Sequence, residues 1–284
     1  MRPLPQMTDR RRRLCVCADD FGLNTGINTA ILTLLEQGVV TATSCMVLRS
    51  AWTSGARLLR EVPPGAADLG LHLDLTDVDG SHAESNLPRL IHEAYSGRLD
   101  RASLTRRIEN QLDRFEEALG RTPDHFDGHR HVHQLPIVRD VVIEVLLRRY
   151  GIGGPWLRGT KPGGQTPSTA PKQLLIHALG GRGLRQAASM QGLRMSRRLL
   201  GVYDFSPTPG HYLELLERWV MHSLDGDVLM CHPGMTASAH DPIGAARTQE
   251  FAALRNLRRC MAIEKSWIDL MPLSWHMQTS SLAG

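Results

Sequence analysis

Leu14-Cys15-Val16-Cys17-Ala18, followed at once by Asp19-Asp20-Phe21-Gly22, is a short apolar run of β character that stops at two adjacent carboxylates and a glycine able to turn the chain. An Asx turn, or a helix cap from Asn24, accounts for one polar residue at such a place. It does not account for two consecutive aspartates. At the carboxyl end of a strand, one carboxylate can hold a cation while its neighbour takes a proton.

The same event recurs three times downstream. Leu69-Gly70-Leu71-His72-Leu73-Asp74-Leu75 alternates, with His72 and Asp74 on one face. Asp227-Val228-Leu229-Met230-Cys231-His232-Pro233-Gly234 is an apolar strand that ends in a histidine and a turn. Asp127-Gly128-His129-Arg130-His131-Val132-His133 sets three histidines at every second position, and an extended backbone would point His129, His131 and His133 into a common space. A lone histidine in a strand is more often a packing residue, and this chain carries 13. Four strand ends of the same kind are harder to ascribe to chance. Imidazole is both a common metal ligand and a proton carrier near neutrality.

Between these points strand and helix patterns alternate. Helices are expected at Thr25–Gln37, Ala51–Glu61, Arg89–Tyr95, Ser103–Leu119 and Ile137–Arg149, then between Lys172 and Leu200, at His211–His222 and at Thr248–Ile263. Strands are expected at Leu14–Ala18, Val39–Leu48, Asp68–Leu75, before the histidine run, at Pro155–Arg158 and from Asp227. About seven β/α units predict an α/β fold, a single-domain (β/α) barrel or distorted TIM-like barrel over 14–284, preceded by a basic disordered arm at 1–13. In a barrel, catalytic groups gather at the carboxyl ends of strands, and all four candidate sites fall there. The long polar connection Thr76–Asp100 reads as a lid or substrate loop.

Composition fits an enzyme of ordinary size: 284 residues, 42% hydrophobic and 22% charged can bury one large core. The five cysteines form no CxxC pair, and those in apolar runs read as small buried hydrophobes of a reduced, cytoplasmic protein. No stretch approaches the roughly 20 apolar residues of a membrane span, and the first 13 residues lack the apolar segment of a signal peptide. Val145–Tyr203 holds ten basic residues, Arg158, Arg194, Arg197 and Arg198 among them, and no acid. Such a block predicts a positive surface for phosphate, pyrophosphate or an anionic membrane; the bland alternative is a solvated loop. Nucleic acid is disfavoured, because only 5% of residues are aromatic and base stacking needs aromatic platforms.

In order and spacing, Ala18-Asp19-Asp20-Phe21-Gly22, Gly70-Leu71-His72-Leu73, His125 to His133 and Met230-Cys231-His232-Pro233 resemble the motif set of the YdjC-like carbohydrate deacetylases, the ChbG/HpnK family, from about Leu14 to Ile263. The resemblance implies a divalent-metal hydrolase that removes acetyl from an N-acetylated amino sugar, on a barrel related to polysaccharide deacetylases. It implies Asp20, His72 and His129 as metal ligands, Asp19 as base and His232 as acid. Asp74, Asp127, His131, His133 and Arg158 are expected to bind substrate or support the ligands. The family is commonly assigned magnesium, whereas two imidazoles and a carboxylate suit zinc, cobalt or iron better. The basic arm, and Asp74 with Thr76-Asp77-Val78-Asp79-Gly80, depart from the family pattern.

The chemistry stands beside the resemblance: amide hydrolysis needs an activated water, a stabilised oxyanion and a proton for the amine. The basic block favours an anionic, nucleotide-linked or lipid-linked sugar over a neutral oligosaccharide. A homo-oligomer is left open. Two rivals are a glycosidase using Asp19, Asp74 and Asp127 in pairs, and a catalytically silent sugar- or anion-binding protein.

Overall fold

The computed structural model describes residues 12–76, 86–164, 169–206, 208, 210–237, 241–260, 268–275 and 277. The long strand β1 (Arg12–Phe21) lies at the centre of an all-parallel sheet. On one side follow β2 (Ala42–Cys45), β3 (Asp68–Leu73), β4 (His125–Gly128) and β5 (Trp156–Leu157). On the other side of β1 lies β7 (Asp227–Cys231), and beyond it β6 (Leu199–Leu200). β8 (Ile268–Leu270) pairs with Arg12–Leu14, while β2 pairs with β1 only from Cys17 onward. Two isolated parallel bridges, Leu157 to Met195 and Pro162 to Leu199, link the region of β5 to that of β6. The sheet thus curls into a distorted barrel with one ragged seam.

Helices α1 (Thr25–Glu36), α2 (Trp52–Leu59), α3 (Asn86–Tyr95), α4 (Arg101–Leu119) and α5 (Val138–Tyr150) connect the first strands, with α6 (Ala170–Ile176), α7 (Arg182–Met190), α8 (His211–Met221) and α9 (Gly244–Cys260) after them. Local chemistry explains their ends. The Asn24 side chain accepts the Ile27 N–H and starts α1. Asp100 accepts from Ala102 and Ser103 at the start of α4, and Gly120, at φ 68°, ends it in the left-handed conformation. The buried stripe of α4, Leu104, Ile108, Leu112, Phe115 and Leu119, is the one its spacing predicts. Truncating Leu112 to alanine removes about 2–5 kcal/mol of burial and packing.

Alternation along the strands splits the barrel wall in two. Leu14, Val16 and Ala18 join the large core with Leu69, Leu71, Leu73 and Phe126, whereas Cys15 and Cys17 pack with Ala42, Trp156 and Val228. The second face is the barrel interior, and toward the carboxyl ends it becomes polar, with Ser44, His72, His125, Asp127 and Arg158 all buried. Gly70 makes room there: a Cβ on it would lie 2.3 Å from the His125 ring, which stacks on Trp156 at 4.5 Å.

Several boundaries differ from the sequence reading. β1 begins at Arg12, so Arg12 and Arg13 of the arm expected at 1–13 are strand residues. The Arg12 guanidinium donates to the Met221 and Ser223 carbonyls, and the Arg13 N–H to Asp225. β2 is shorter than Val39–Leu48, since the Val39 and Val40 N–H groups bond the Leu34 carbonyl at the end of α1. β6 and β8 were not anticipated. The expected arm at 1–11 and the segment 77–85 of the expected lid lie outside the described residues.

Candidate active site and metal centre

Both aspartates of the opening motif reach the site through a backbone device. Alternation places Asp19 on the interior face with Cys15 and Cys17 and would send Asp20 outward. The β1–β2 register shifts between Ala18 and Phe21, and Asp20 takes φ 68°, a left-handed conformation unusual for a residue with a Cβ. The bulge turns Asp20 back toward His72 and His129.

Asp20 Oδ1 lies 3.5 Å from His72 Nε2 and 3.2 Å from His129 Nδ1. Among the described residues that buried oxygen has no hydrogen-bond partner, and the three donor atoms converge. In a tetrahedral shell with metal–ligand bonds of about 2.1 Å, donors sit about 3.4 Å apart, which these distances match. His72 Nδ1 is 2.6 Å from Asp127 Oδ1, which leaves Nε2 for a cation; carboxylate support of this kind fixes a ligating imidazole. Two other His, Cys and Asp groupings surround Asp127. They are closed to a cation, because Asp127 Oδ2 is taken by Ser44 at 2.7 Å and Arg158 at 2.6 Å.

Arg158 is the hub of the interior. Its guanidinium grips Asp19 with two hydrogen bonds, at 2.6 and 2.7 Å, and also reaches Asp127, Ser44 and Cys17. His232 Nε2 lies 3.9 Å from Asp19 Oδ2, and its ring meets the edge of Phe205 at 5.2 Å. One chain of contacts thus joins His232, Asp19, Arg158, Asp127, His72 and Asp20.

Electrostatics follow the same chain. Burial opposes charge on Asp20 and Asp127, yet Arg247 with His129 and His72 holds Asp20 well below the usual carboxylate range, and Arg158 with His72 does so for Asp127. Burial would lower His72, but the carboxylates of Asp127 and Asp19 override it and hold the ring up at about 10, so a cation taken up at Nε2 would displace the proton there. Burial dominates for His125, His133 and His232, each pushed down to about 4 and so neutral at pH 7.

The histidine run is not extended. His129–Gln134 is a 3-10 turn in which Arg130 and His131 take φ 52° and 60°, so the three rings separate. His129 faces Asp20. His133 Nε2 lies 2.9 Å from the Arg158 carbonyl, to which it donates, and so anchors the end of β5. His131 lines the cleft, with its buried Nδ1 unpaired. Asp74 pairs with Arg49, its N–H donates to the Gln111 side-chain oxygen, and its carbonyl accepts from the Gln111 side-chain amide. The structure therefore brings Asp19, Asp20, His72, Asp127, His129, Arg158 and His232 together, and gives His133 and Asp74 supporting places.

Four residues absent from the sequence reading belong here: Ser44, Arg247, Glu250 and Tyr203. Arg247 donates to Asp20 Oδ2 at 2.7 Å, and Glu250 accepts the His232 N–H and the Tyr203 hydroxyl. Burial pushes Glu250 up to about 7. The available signal was two opposite charges three positions apart next to the last motif; starting the helix at Thr248 left Arg247 outside it. The site opens into a cleft of about 1090 Å³.

The basic block is not a free positive face. Arg148 and Arg149 pair with Glu109, Asp113 and Glu116 of α4, and Arg198 pairs with Asp227. Arg185 and Arg194 donate to main-chain carbonyls.

Comparisons with known proteins bear on the family and the fold. A chitooligosaccharide deacetylase of Enterobacter sp. (strain 638) is 34% identical over 143 residues, 48% of this chain and 56% of that one. One from Escherichia fergusonii is 37% identical over 138 residues, 46% and 54% of the two chains. The match spans about half the length of these curated relatives. Among solved structures, a protein of Enterococcus faecalis V583 named for cellobiose-phosphate cleavage has a TM-score of 0.65 at 22% identity, covering 93% of this chain and 98% of its own. An uncharacterized protein of Agrobacterium tumefaciens C58 reaches 0.52 at 12% identity, covering 96% and 91%. Both likenesses bear on the fold. The family described as YdjC-like protein matches residues 13–259, a span that takes in every residue of the site, and the chain belongs to that family.

Proposed function

We propose that the chain is a divalent-metal-assisted carbohydrate N-deacetylase that releases acetate from an N-acetylated amino sugar. The observation that carries this reading is the convergence of Asp20, His72 and His129 on an unpartnered carboxylate oxygen, with Asp19 and His232 beside it at the mouth of the cleft. Relatives named chitooligosaccharide deacetylases support the reaction class.

Asp20, His72 and His129 would hold the cation, with zinc preferred to magnesium by the two imidazoles. A bound cation would polarise the acetyl carbonyl and acidify a water. Asp19, fixed by Arg158 at both oxygens, takes the water proton. His232 is neutral before the reaction, since burial holds it at about 4. Its Nε2 stands 3.9 Å from Asp19 Oδ2, and closing that gap to hydrogen-bond distance lets it receive a proton and deliver it to the departing nitrogen.

The paired-carboxylate glycosidase has less support. Asp19 and Asp127 share one arginine and Asp74 has another, so no carboxyl group among the three is placed as an unpaired acid. The cleft favours a sugar carried on an apolar group, because Met46, Ile91, Ile176, Leu179 and Ile243 line it. A nucleotide carrier is less suited, since most arginines of the basic block are engaged within the fold.

The test is acetate release by metal-stripped protein, with and without added zinc or magnesium, from free, oligomeric, nucleotide-linked and lipid-linked N-acetyl sugars. Metal-dependent acetate from one class is the expected result. Tight sugar binding without acetate in every arm would replace the hydrolase by a binding protein.

A further inference from the structure

Helix α9 reaches both ends of the site from outside the barrel. Arg247 and Glu250, three positions apart and on one helical face, are both buried. Arg247 donates to Asp20 Oδ2 at 2.7 Å and to Asp241 at 2.6 Å. Glu250 accepts the His232 N–H at 2.5 Å and the Tyr203 hydroxyl at 2.7 Å. The His232 carbonyl accepts in turn from Arg247 at 3.5 Å. One helix therefore holds the second oxygen of the candidate metal ligand and both polar groups of the proton donor's backbone.

The His232 ring needs such a hold. Its Nδ1 is buried without a hydrogen-bond partner, its Nε2 stands 3.9 Å from Asp19, and Phe205 packs on it edge to face. Among the described residues no side-chain hydrogen bond aims the imidazole, so its direction is inherited from the main chain. Asp20 is in a comparable position. Its left-handed backbone brings it to the site, but which oxygen faces His72 and His129 depends on what occupies the other. Burying a charged pair is expensive, and apolar residues of similar volume often serve stability as well. An Arg and a Glu on one buried helix face, each bonded to a working residue, call for another explanation.

We infer that Arg247 and Glu250 are positioning residues of the reaction. Arg247 occupies Oδ2 of Asp20 and keeps Oδ1 turned toward the two imidazoles; Glu250 holds the His232 peptide so that its ring stands over Asp19. The inference rests on the hydrolase reading, but its two parts can be measured without turnover.

Two readouts separate positioning from bulk stability. Zinc titrated calorimetrically into metal-stripped full-length protein should bind R247M about tenfold or more weaker than wild type, with E250A and E250Q unchanged. With metal saturating, E250A should lose about thirtyfold or more in kcat with KM within about twofold. E250Q, which keeps a carbonyl oxygen for the His232 N–H, should regain most of that loss. Equal or tighter zinc binding by R247M overturns the role of Arg247. A kcat loss in E250A that merely follows its folded fraction, or no recovery in E250Q, overturns that of Glu250. If wild type releases no acetate from any sugar, the hydrolase reading fails by itself. The zinc titration then still decides Arg247, and the His232 ring signals in a nitrogen-15 histidine spectrum decide Glu250, whose role is overturned if E250A leaves them unmoved.

Discussion

Strands β1 to β4 and the stretch from Gly151 to Tyr203 are held together by different bonds. The first region is a parallel ladder of four- to ten-residue strands, so main-chain groups satisfy one another and alternate side chains are free to build a polar interior. In the second, β5 and β6 have two residues each, and cations take over from the ladder. Arg194 donates to the Gly153 and Gly154 carbonyls, Arg185 to those of Ser196 and Arg197, and Lys172 to that of Tyr203. Charge in the first region, joined there by Arg158 from the end of β5, sits where it can do chemistry; in the rest of the second it substitutes for missing hydrogen-bond partners. A basic block in a sequence therefore does not by itself mark an anion site.

Substitutions should separate the regions most sharply in activity. D20N and H72A remove a ligand and should lower kcat/KM at saturating metal by at least about a thousandfold, with zinc affinity falling in parallel by calorimetry. R194Q should leave both within about twofold. A comparable loss of activity in R194Q would erase the division.

Stability should next separate the interior network, which Arg158 completes, from the rest of the second region. R158M strips two buried carboxylates, Asp19 and Asp127, of their cation and should cost about 3–5 kcal/mol in urea unfolding. R194Q, which loses two bonds to partly exposed carbonyls, should cost about 1–2 kcal/mol. Equal costs would mean that the interior network carries no more strain than the loop.

Acid sharpens the contrast from the side of the first region. His125 and His133 have an ordinary value of 6.5 in the unfolded chain and about 4 in the fold. The unfolded state takes up protons first as pH falls, so stability is complete above about 6.5 and is lost as pH drops toward 4. For His125 the difference corresponds to about 3 kcal/mol. Its Nε2 lies 2.9 Å from the Ser44 oxygen, whose proton goes to Asp127, so the neutral ring donates there. H125N should flatten the decline between pH 6.5 and 4, measured by thermal midpoints across that range. An unaltered pH profile would show that His125 does not contribute to it.

The same division decided what the sequence disclosed. Asp19, Asp20, His72 and His232 stand at the ends of apolar runs that are strands in the fold, so their places at strand ends were legible. The geometry of Asp20 was not, because it depends on a bulge that only pairing with β2 creates. The histidine run misled by its regularity: a two-residue spacing places side chains on one face only in extended backbone, and Arg130 and His131 are left-handed. Arg247 and Glu250 were hidden because their partners lie more than two hundred residues away in one case and on a neighbouring strand's backbone in the other. The two-residue β6 was too short for any periodicity to show, whereas β5 falls inside the expected strand Pro155–Arg158.

The smallest effect should come from Arg197. Its main chain is held at both ends, the N–H by the Gly226 carbonyl and its own carbonyl by Arg185, while its side chain is exposed. R197Q should change stability by less than about 0.5 kcal/mol and leave acetate release from an uncharged N-acetyl sugar unaltered. The informative arm is a phosphate-bearing or lipid-diphosphate-bearing sugar. If the second region is scaffold, R197Q treats charged and uncharged substrates alike across a salt series. A KM that rises severalfold for the charged substrate alone, with the difference vanishing at high salt, would return part of the block to substrate recognition and confine the scaffold role to Arg185, Arg194 and Arg198, whose guanidinium groups are engaged inside the fold.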